Sequence, residues 1–227
     1  MQKSLIVLIS LFFFISIILH KTILKIYFDY KLSKWVEKDV IIEDFNFKFP
    51  NTIVIKKLKI QNSNSTYYEN VFSCDYIRFN IDLKSYFFGN LVIIENLKID
   101  NSSFYLELTQ KKIQLNENKD TKIIFEDNIG VAKKINENLP DRIWPVKKRD
   151  KNFIISESSI TNSKVFMRIS SFKDESKIFL SNFNFFNFGN QKGFSHYKDI
   201  LKIIFFDFIA RERDFEKREI LEDIYKL

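Results

Sequence analysis

Cysteine, histidine, glycine and proline are all scarce in this chain of 227 residues, and each scarcity removes a class of architecture or chemistry. One cysteine, Cys74, excludes an intramolecular disulfide and any Cys-based zinc site; within FSCDYI it reads as a small buried apolar residue. His20 and His196 are too few for a histidine-rich metal site. Four glycines and three prolines leave turns to Asn, Asp and Ser, whose side chains bond their own backbone. The chain has no nucleophile elbow, Walker loop, dinucleotide fingerprint or HExxH helix. Its carboxylates are scattered, with Asp75, Asp82 and Asp100 on polar strand faces. These absences predict a non-enzyme that needs no cofactor or metal.

What is present is apolar and basic. Hydrophobic residues make up 45% of the chain, enough for a substantial core. The 26 phenylalanines accompany abundant Ile, Lys and Asn, a composition of AT-rich coding sequences, and are discounted as a functional signal. A formal charge of +7 suits an anionic membrane surface. No basic run has the spacing of a nucleic-acid module, so nucleic acid is not an expected partner.

One phrase occurs three times: IVIKKLKIQNS at 53–63, LVIIENLKIDNS at 91–102 and NFIISESSITNS at 152–163. Ile55, Ile94 and Ile155 are equivalent, as are Ile60, Ile99 and Ile160. Alternation with period two places one set of side chains on one face of a strand, and the closing Asn-Ser reads as a turn. A repeated strand unit points to a sheet with one apolar face.

Residues 5–19, LIVLISLFFFISIIL, are apolar apart from two serines and read as a membrane-targeting segment. The length falls between a signal-peptide core and the ~20 residues of a full span. The following SIILHKTILKIYF offers no small-residue cleavage site, so the segment reads as an uncleaved anchor, with Lys3 and Lys21 at the two interfaces. Counting lysines alone would keep the body in the cytoplasm. Residues 22–36 continue as a helical stalk with Ile23, Ile26, Tyr27 and Tyr30 on one side.

The expected fold is mainly β (β+α): an N-terminal transmembrane helix, an antiparallel curved sheet in two halves, a helical linker, and a C-terminal helix packed on the sheet. The divisions are anchor and stalk at 1–39, first β half at 40–110, polar linker with a short helix at 111–151, second β half at 152–194, and C-terminal helix at 195–227. About six antiparallel strands fill the first half, with 85–90 as a turn. In the linker, Ile124, Ile129, Ala132, Ile135 and Leu139 have helical spacing before Pro140. Trp144, Lys147, Lys148, Arg149 and Lys151 are candidates for membrane-surface contact. Phe179, Phe183, Phe185 and Phe188 share a face only if a bulge intervenes. Ser195 caps one long helix over 196–226, with Asp214 and Arg218 at i,i+4 spacing. Its first part is apolar nearly all round and must be covered. Packing across the sheet does this most simply; a membrane interface or a partner would serve as well.

The order of these units carries a resemblance. A membrane segment and an aromatic strand precede IVIKKLKIQNS; IRFNIDLKSYFFGNLVIIENLKIDNSSFYLEL follows, then a linker, NFIISESSITNSKVFM and SNFNFFNFGNQKG before the terminal helix. The chain resembles small single-anchor members of the AsmA-like family over roughly 44–108 and 153–209. The resemblance implies an inner-membrane anchor, a periplasmic sheet, and a non-catalytic role in lipid handling or envelope assembly. Membrane lipid is the implied partner, with envelope proteins docking through the C-terminal helix. An apolar sheet face can shield acyl chains while its other face meets water. Its candidate lining residues are Ile55, Leu58, Ile60, Ile81, Leu83, Ile94, Leu97, Ile99, Leu106, Ile155 and Ile160. The other reading is an immunoglobulin-like tethered scaffold whose apolar face is only its own core.

Overall fold

A computed structural model describes residues 22–34, 36, 38–62, 67–114, 121–128 and 152–225. The anchor segment and the Trp144, Lys147, Lys148, Arg149 and Lys151 group lie outside these residues, as does most of the expected linker helix. The part of that helix at Thr121–Asp127 is a strand instead. The described chain is mainly β: ten strands form one open, mixed sheet, with helices beside it.

Helix α1 covers residues 22–34. Strands β1 (Val40–Lys48), β2 (Thr52–Gln61) and β3 (Asn70–Ile81) form an antiparallel meander continuing into β4 (Leu91–Gln114). Between β3 and β4 lies the short helix α2 (Leu83–Phe88), where the sequence suggested only a turn at 85–90. Strand β5 (Thr121–Asp127) pairs antiparallel with the end of β4. Strands β6 (Asn152–Thr161) and β7 (Lys164–Ile169) run parallel to β4 along successive stretches. Strand β8 (Ser176–Phe179) pairs with β7, β9 (Phe183–Gly189) with β6, and the two-residue β10 (Ser195–His196) with β9.

Two expectations about the sheet are thereby corrected. It is a single mixed sheet, because the 24-residue β4 is long enough to serve both halves. A parallel pair needs a crossover of a dozen or more residues, and the chain between Asp127 and Asn152 has that length. The repeat also acquires a physical meaning. Ile94 pairs with Ile155 and Ile99 with Ile160, so the second and third copies lie side by side in register.

Their Asn-Ser pairs are bulges inside extended chain, not turns. Asn101 and Asn162 both adopt φ 54°, and Lys57 on β2 adopts φ 52° in the same row of the sheet. At this row the inward alternation slips by one residue, so Ile55 and Leu58, Ile77 and Cys74, and Ile99 and Ser102 all keep to one face. Asn tolerates left-handed backbone because its short amide bonds locally. Here Asn162 Nδ2 donates to Asp100 Oδ1 at 2.9 Å, and Asn101 Nδ2 donates to Asp75. Lys57 is held by Glu43 at 3.1 Å. Beneath the seam the buried hydroxyls of Ser102 and Ser163 bond at 2.6 Å.

A second bulge, at Asn187 (φ 51°), lets Phe183, Phe185 and Phe188 share the buried face. Phe179 does not join them and is exposed; Leu180 is buried in its stead. The C-terminal helix is broken in two, α3 (Tyr197–Arg211) and α4 (Phe215–Tyr225). The cap of α3 is His196, not Ser195, with Nδ1 accepting from the Lys198 amide at 3.2 Å. The break occurs because Asp214 caps α4 through the Lys217 amide at 3.1 Å, while the Arg218 guanidinium turns back to the Glu212 carbonyl.

Candidate functional site

The bulges align apolar side chains into rows across the sheet, and the rows define the site. One runs Phe45, Ile55, Ile77, Ile99, Ile160, Phe183 across six strands. Another runs Val40, Ile60, Phe72, Phe104, Val165, Ile178. A third contains Phe47, Ile53, Phe79, Leu97 and Phe185, with Ser158 between the last two; Ile81, Ile94, Ile155 and Phe188 form the fourth.

Helices cover the rows at both ends. On one flank, Leu24, Phe28 and Leu32 of α1 pack on Ile42, Phe45, Ile55 and Leu58, with the Phe28 and Phe45 rings 4.8 Å apart. Two side-chain bonds fasten this helix to β1: the Ile42 amide donates to Asp29 Oδ1 at 3.2 Å and the Val40 amide to Ser33 Oγ at 2.9 Å. The expected stalk therefore lies on the sheet, and the side bearing Ile23, Ile26, Tyr27 and Tyr30 faces outward. On the other flank, α3 and α4 bring Phe208, Ile209, Leu221 and Tyr225 onto Leu106, Met167, Ile169 and Phe183.

Asp207 fixes α3 in place. It accepts from the Ser181 amide at 2.8 Å, the Ser181 hydroxyl at 2.7 Å and Arg211 Nε at 2.9 Å. Burial pushes its pKa up, but the Ser181 bonds and the Arg211 charge outweigh this and hold it below the usual carboxylate range.

Between the two covers part of the same face stays partly open: Ile77, Phe79 and Ile81 on β3 with Ile94, Leu97 and Ile99 on β4 form a strip, which the buried Cys74–Ser102 pair separates from the partly open Phe72 and Phe104. Ile77 to Ile81 is four residue steps, about 14 Å of strand. The anticipated lining residues divide accordingly. Ile60, Ile81, Ile94, Leu97, Ile99 and Ile160 remain partly open. Ile55 and Leu58 are buried in the cluster that α1 packs on, and Leu106 and Ile155 belong to the cluster packed by α3 and α4, so these four are core. Leu83 leaves the strand altogether and begins α2. Ile77, Phe79, Phe72 and Phe104 were missing from the anticipated set; the alternation around Cys74 was the cue that could have supplied them.

Cys74 lies on this inner face, buried, with its thiol contacting the Tyr76 and Asp100 carbonyls at 3.3 and 3.4 Å. Burial pushes the thiol up to about 11, which leaves it protonated and a poor nucleophile at neutral pH. Among the described residues no group of three or more His, Cys, Asp or Glu side chains could hold a metal ion. Also among the described residues, no helix is long and apolar enough to cross a membrane. The strip offers dispersion contacts and exclusion of water, chemistry that suits an extended apolar ligand.

Comparison with protein-family models, with curated proteins and with solved structures finds no match to this chain.

Proposed function

We propose that this chain is a membrane-anchored, non-catalytic β-domain protein of AsmA-like type, with its body in the periplasm, that handles lipid in support of envelope assembly. The observation that carries this reading is the strip between the helical covers. Its unbroken length of about 14 Å matches the hydrocarbon depth of one leaflet, half of the ~30 Å bilayer core, and so suits most of one extended acyl chain. From Ile77 to Ile81 its lining is aliphatic and aromatic, while the charged seam residues Glu43, Lys57 and Asp75 are exposed. The basic balance of the chain and the apolar run at 5–19 support a station at an anionic membrane surface.

The deciding experiment is native mass spectrometry of the full chain, purified from bacterial membranes in mild detergent with phospholipid extract present. Retained phospholipid, lost on combining Leu97→Asp with Ile99→Asp in a chain whose circular dichroism is unchanged, is the expected result. A chain that cannot be loaded refutes lipid handling. That outcome would favour a tethered scaffold, a reading supported by the burial of Ile55, Leu58, Leu106 and Ile155 in the chain's own core.

A further inference from the structure

The two ends of the sheet differ sharply in what they expose. At one end lie the β1–β2 turn, the β3–β4 connection and the start of α1. Their common position follows from the bonds that join them. The Ile81 amide donates to the Asn51 carbonyl at 3.0 Å, and Tyr86 of α2 lies beside Tyr27 of α1. Because α1 packs antiparallel to β1, with Ser33 at Val40 and Asp29 at Ile42, its first residues reach the same end.

This end exposes several large apolar side chains. Phe88 is 88% exposed, Phe49 89%, Phe87 66%, and Ile23 and Ile26 about as much as Phe87. The opposite end presents Glu69, Lys173, Asp174 and Glu175, and its exposed Tyr67 ring lies 3.9 Å beneath the Arg168 guanidinium.

Helix α2 is not a loose loop that happens to display aromatics. Asp82 Oδ1 accepts from the Lys84 amide at 3.0 Å, the Ser85 hydroxyl donates to the Asp82 carbonyl at 2.8 Å, and the Ile93 amide returns to Ser85 Oγ at 3.2 Å. At Gly89 an added Cβ would stand 2.7 Å from the Ser85 carbonyl, so a glycine is needed where the helix closes onto β4. A rigid mount holding two adjacent phenylalanines in water is unfavourable unless something apolar meets them.

The sequence identifies what meets them. The run LIVLISLFFFISIIL at 5–19 ends two residues before the described part of α1, whose first described turn lies at this end of the sheet. Lys48 and Lys84 are exposed beside Phe49 and Phe88, the pairing of aromatic ring and cation that the headgroup region favours. We infer that the sheet end formed by Phe49, Phe87, Phe88 and the start of α1 is seated in the interface of the bilayer that holds the apolar N-terminal run. The body then stands on the membrane at a second point, and the strip's Ile81 and Ile94 end opens toward lipid. This inference rests on the reading of residues 5–19 as a membrane segment, and the test separates the two.

The test uses the full chain with Cys74→Ser, carrying a single spin label at Phe49→Cys, Phe88→Cys, Lys173→Cys or Phe12→Cys. Each is reconstituted into phosphatidylethanolamine–phosphatidylglycerol vesicles. Collision rates with oxygen and with a water-soluble nickel complex are measured by paramagnetic resonance. The expected oxygen-to-nickel ratio at Phe49 and Phe88 is severalfold above that at Lys173 and below that at Phe12. Ratios at Phe49 and Phe88 equal to Lys173, with Phe12 in hydrocarbon, overturn the interfacial seat alone. A water-exposed label at Phe12 overturns the membrane reading with it.

Discussion

One row of the sheet contains four isoleucines, Ile55, Ile77, Ile99 and Ile160, so the same substitution can report whether the strip is open or closed. Isoleucine to alanine removes three carbons, worth about 0.8 kcal/mol each when fully buried, and leaves a cavity where neighbours cannot relax. Ile55 is 3% exposed in the cluster that α1 packs on, so Ile55→Ala should cost about 3 kcal/mol. Ile77 and Ile99 are partly exposed, so about half the transfer energy and little cavity cost remain, about 1 kcal/mol each. Ile160 packs against the C-terminal helical cluster and should fall between. With a urea dependence of about 2 kcal/mol per molar, the midpoint should fall by about 1.5 M for Ile55→Ala and about 0.5 M for Ile77→Ala or Ile99→Ala. The assay is urea unfolding of the full chain in mild detergent, followed by far-ultraviolet circular dichroism. Equal losses at Ile55, Ile77 and Ile99 would refute the argument, because they would mean that the strip is sealed core with no ligand-accessible face.

Asp207→Asn should lower stability by about 1–3 kcal/mol at pH 7, since the charged acceptor of two Ser181 bonds and of Arg211 is lost. The folded pKa lies below the unfolded value of about 3.9, so the contribution is present above that value and disappears as pH falls through the folded pKa. Native and variant unfolding midpoints should therefore converge in acid, and a difference that persists unchanged there would contradict the assignment. Gly189→Ala should cost about 2–3 kcal/mol or abolish folding, because its Cβ would sit 2.1 Å from the Phe153 carbonyl on the neighbouring strand. Gly193→Ala, at φ 92° in open space, should cost only about 1 kcal/mol; the reverse order of unfolding midpoints would show that β6 and β9 are not paired as described.

How much of this was legible follows from the range of the forces involved. Strand alternation is local, and β7 and the inward set of β9 are readable from period-two patterns and one required bulge, whereas β1, β2 and β3 switch the parity of their inward residues at the seam. The repeat is local too, and the equivalent isoleucines of its second and third copies prove to be cross-strand neighbours. Asn-Ser, however, signals only that the backbone turns left-handed, and such a residue serves a chain reversal and a bulge equally well. Residues 121–127 carried helical spacing, yet the free edge of the long β4 satisfies their backbone groups as a strand.

By itself, then, the sequence determined most of the strands, their apolar face, the scarcity of catalytic groups and a C-terminal helical segment whose apolar surface must be covered. Tertiary structure alone decided which strands are parallel, that the bulges align into one seam, and that α1 and the C-terminal helices close the two flanks while leaving β3 and β4 partly open. The reason is physical: side-chain periodicity is written in neighbouring residues, whereas register and cover depend on which distant apolar surfaces bury one another most completely, and many pairings share the same local pattern.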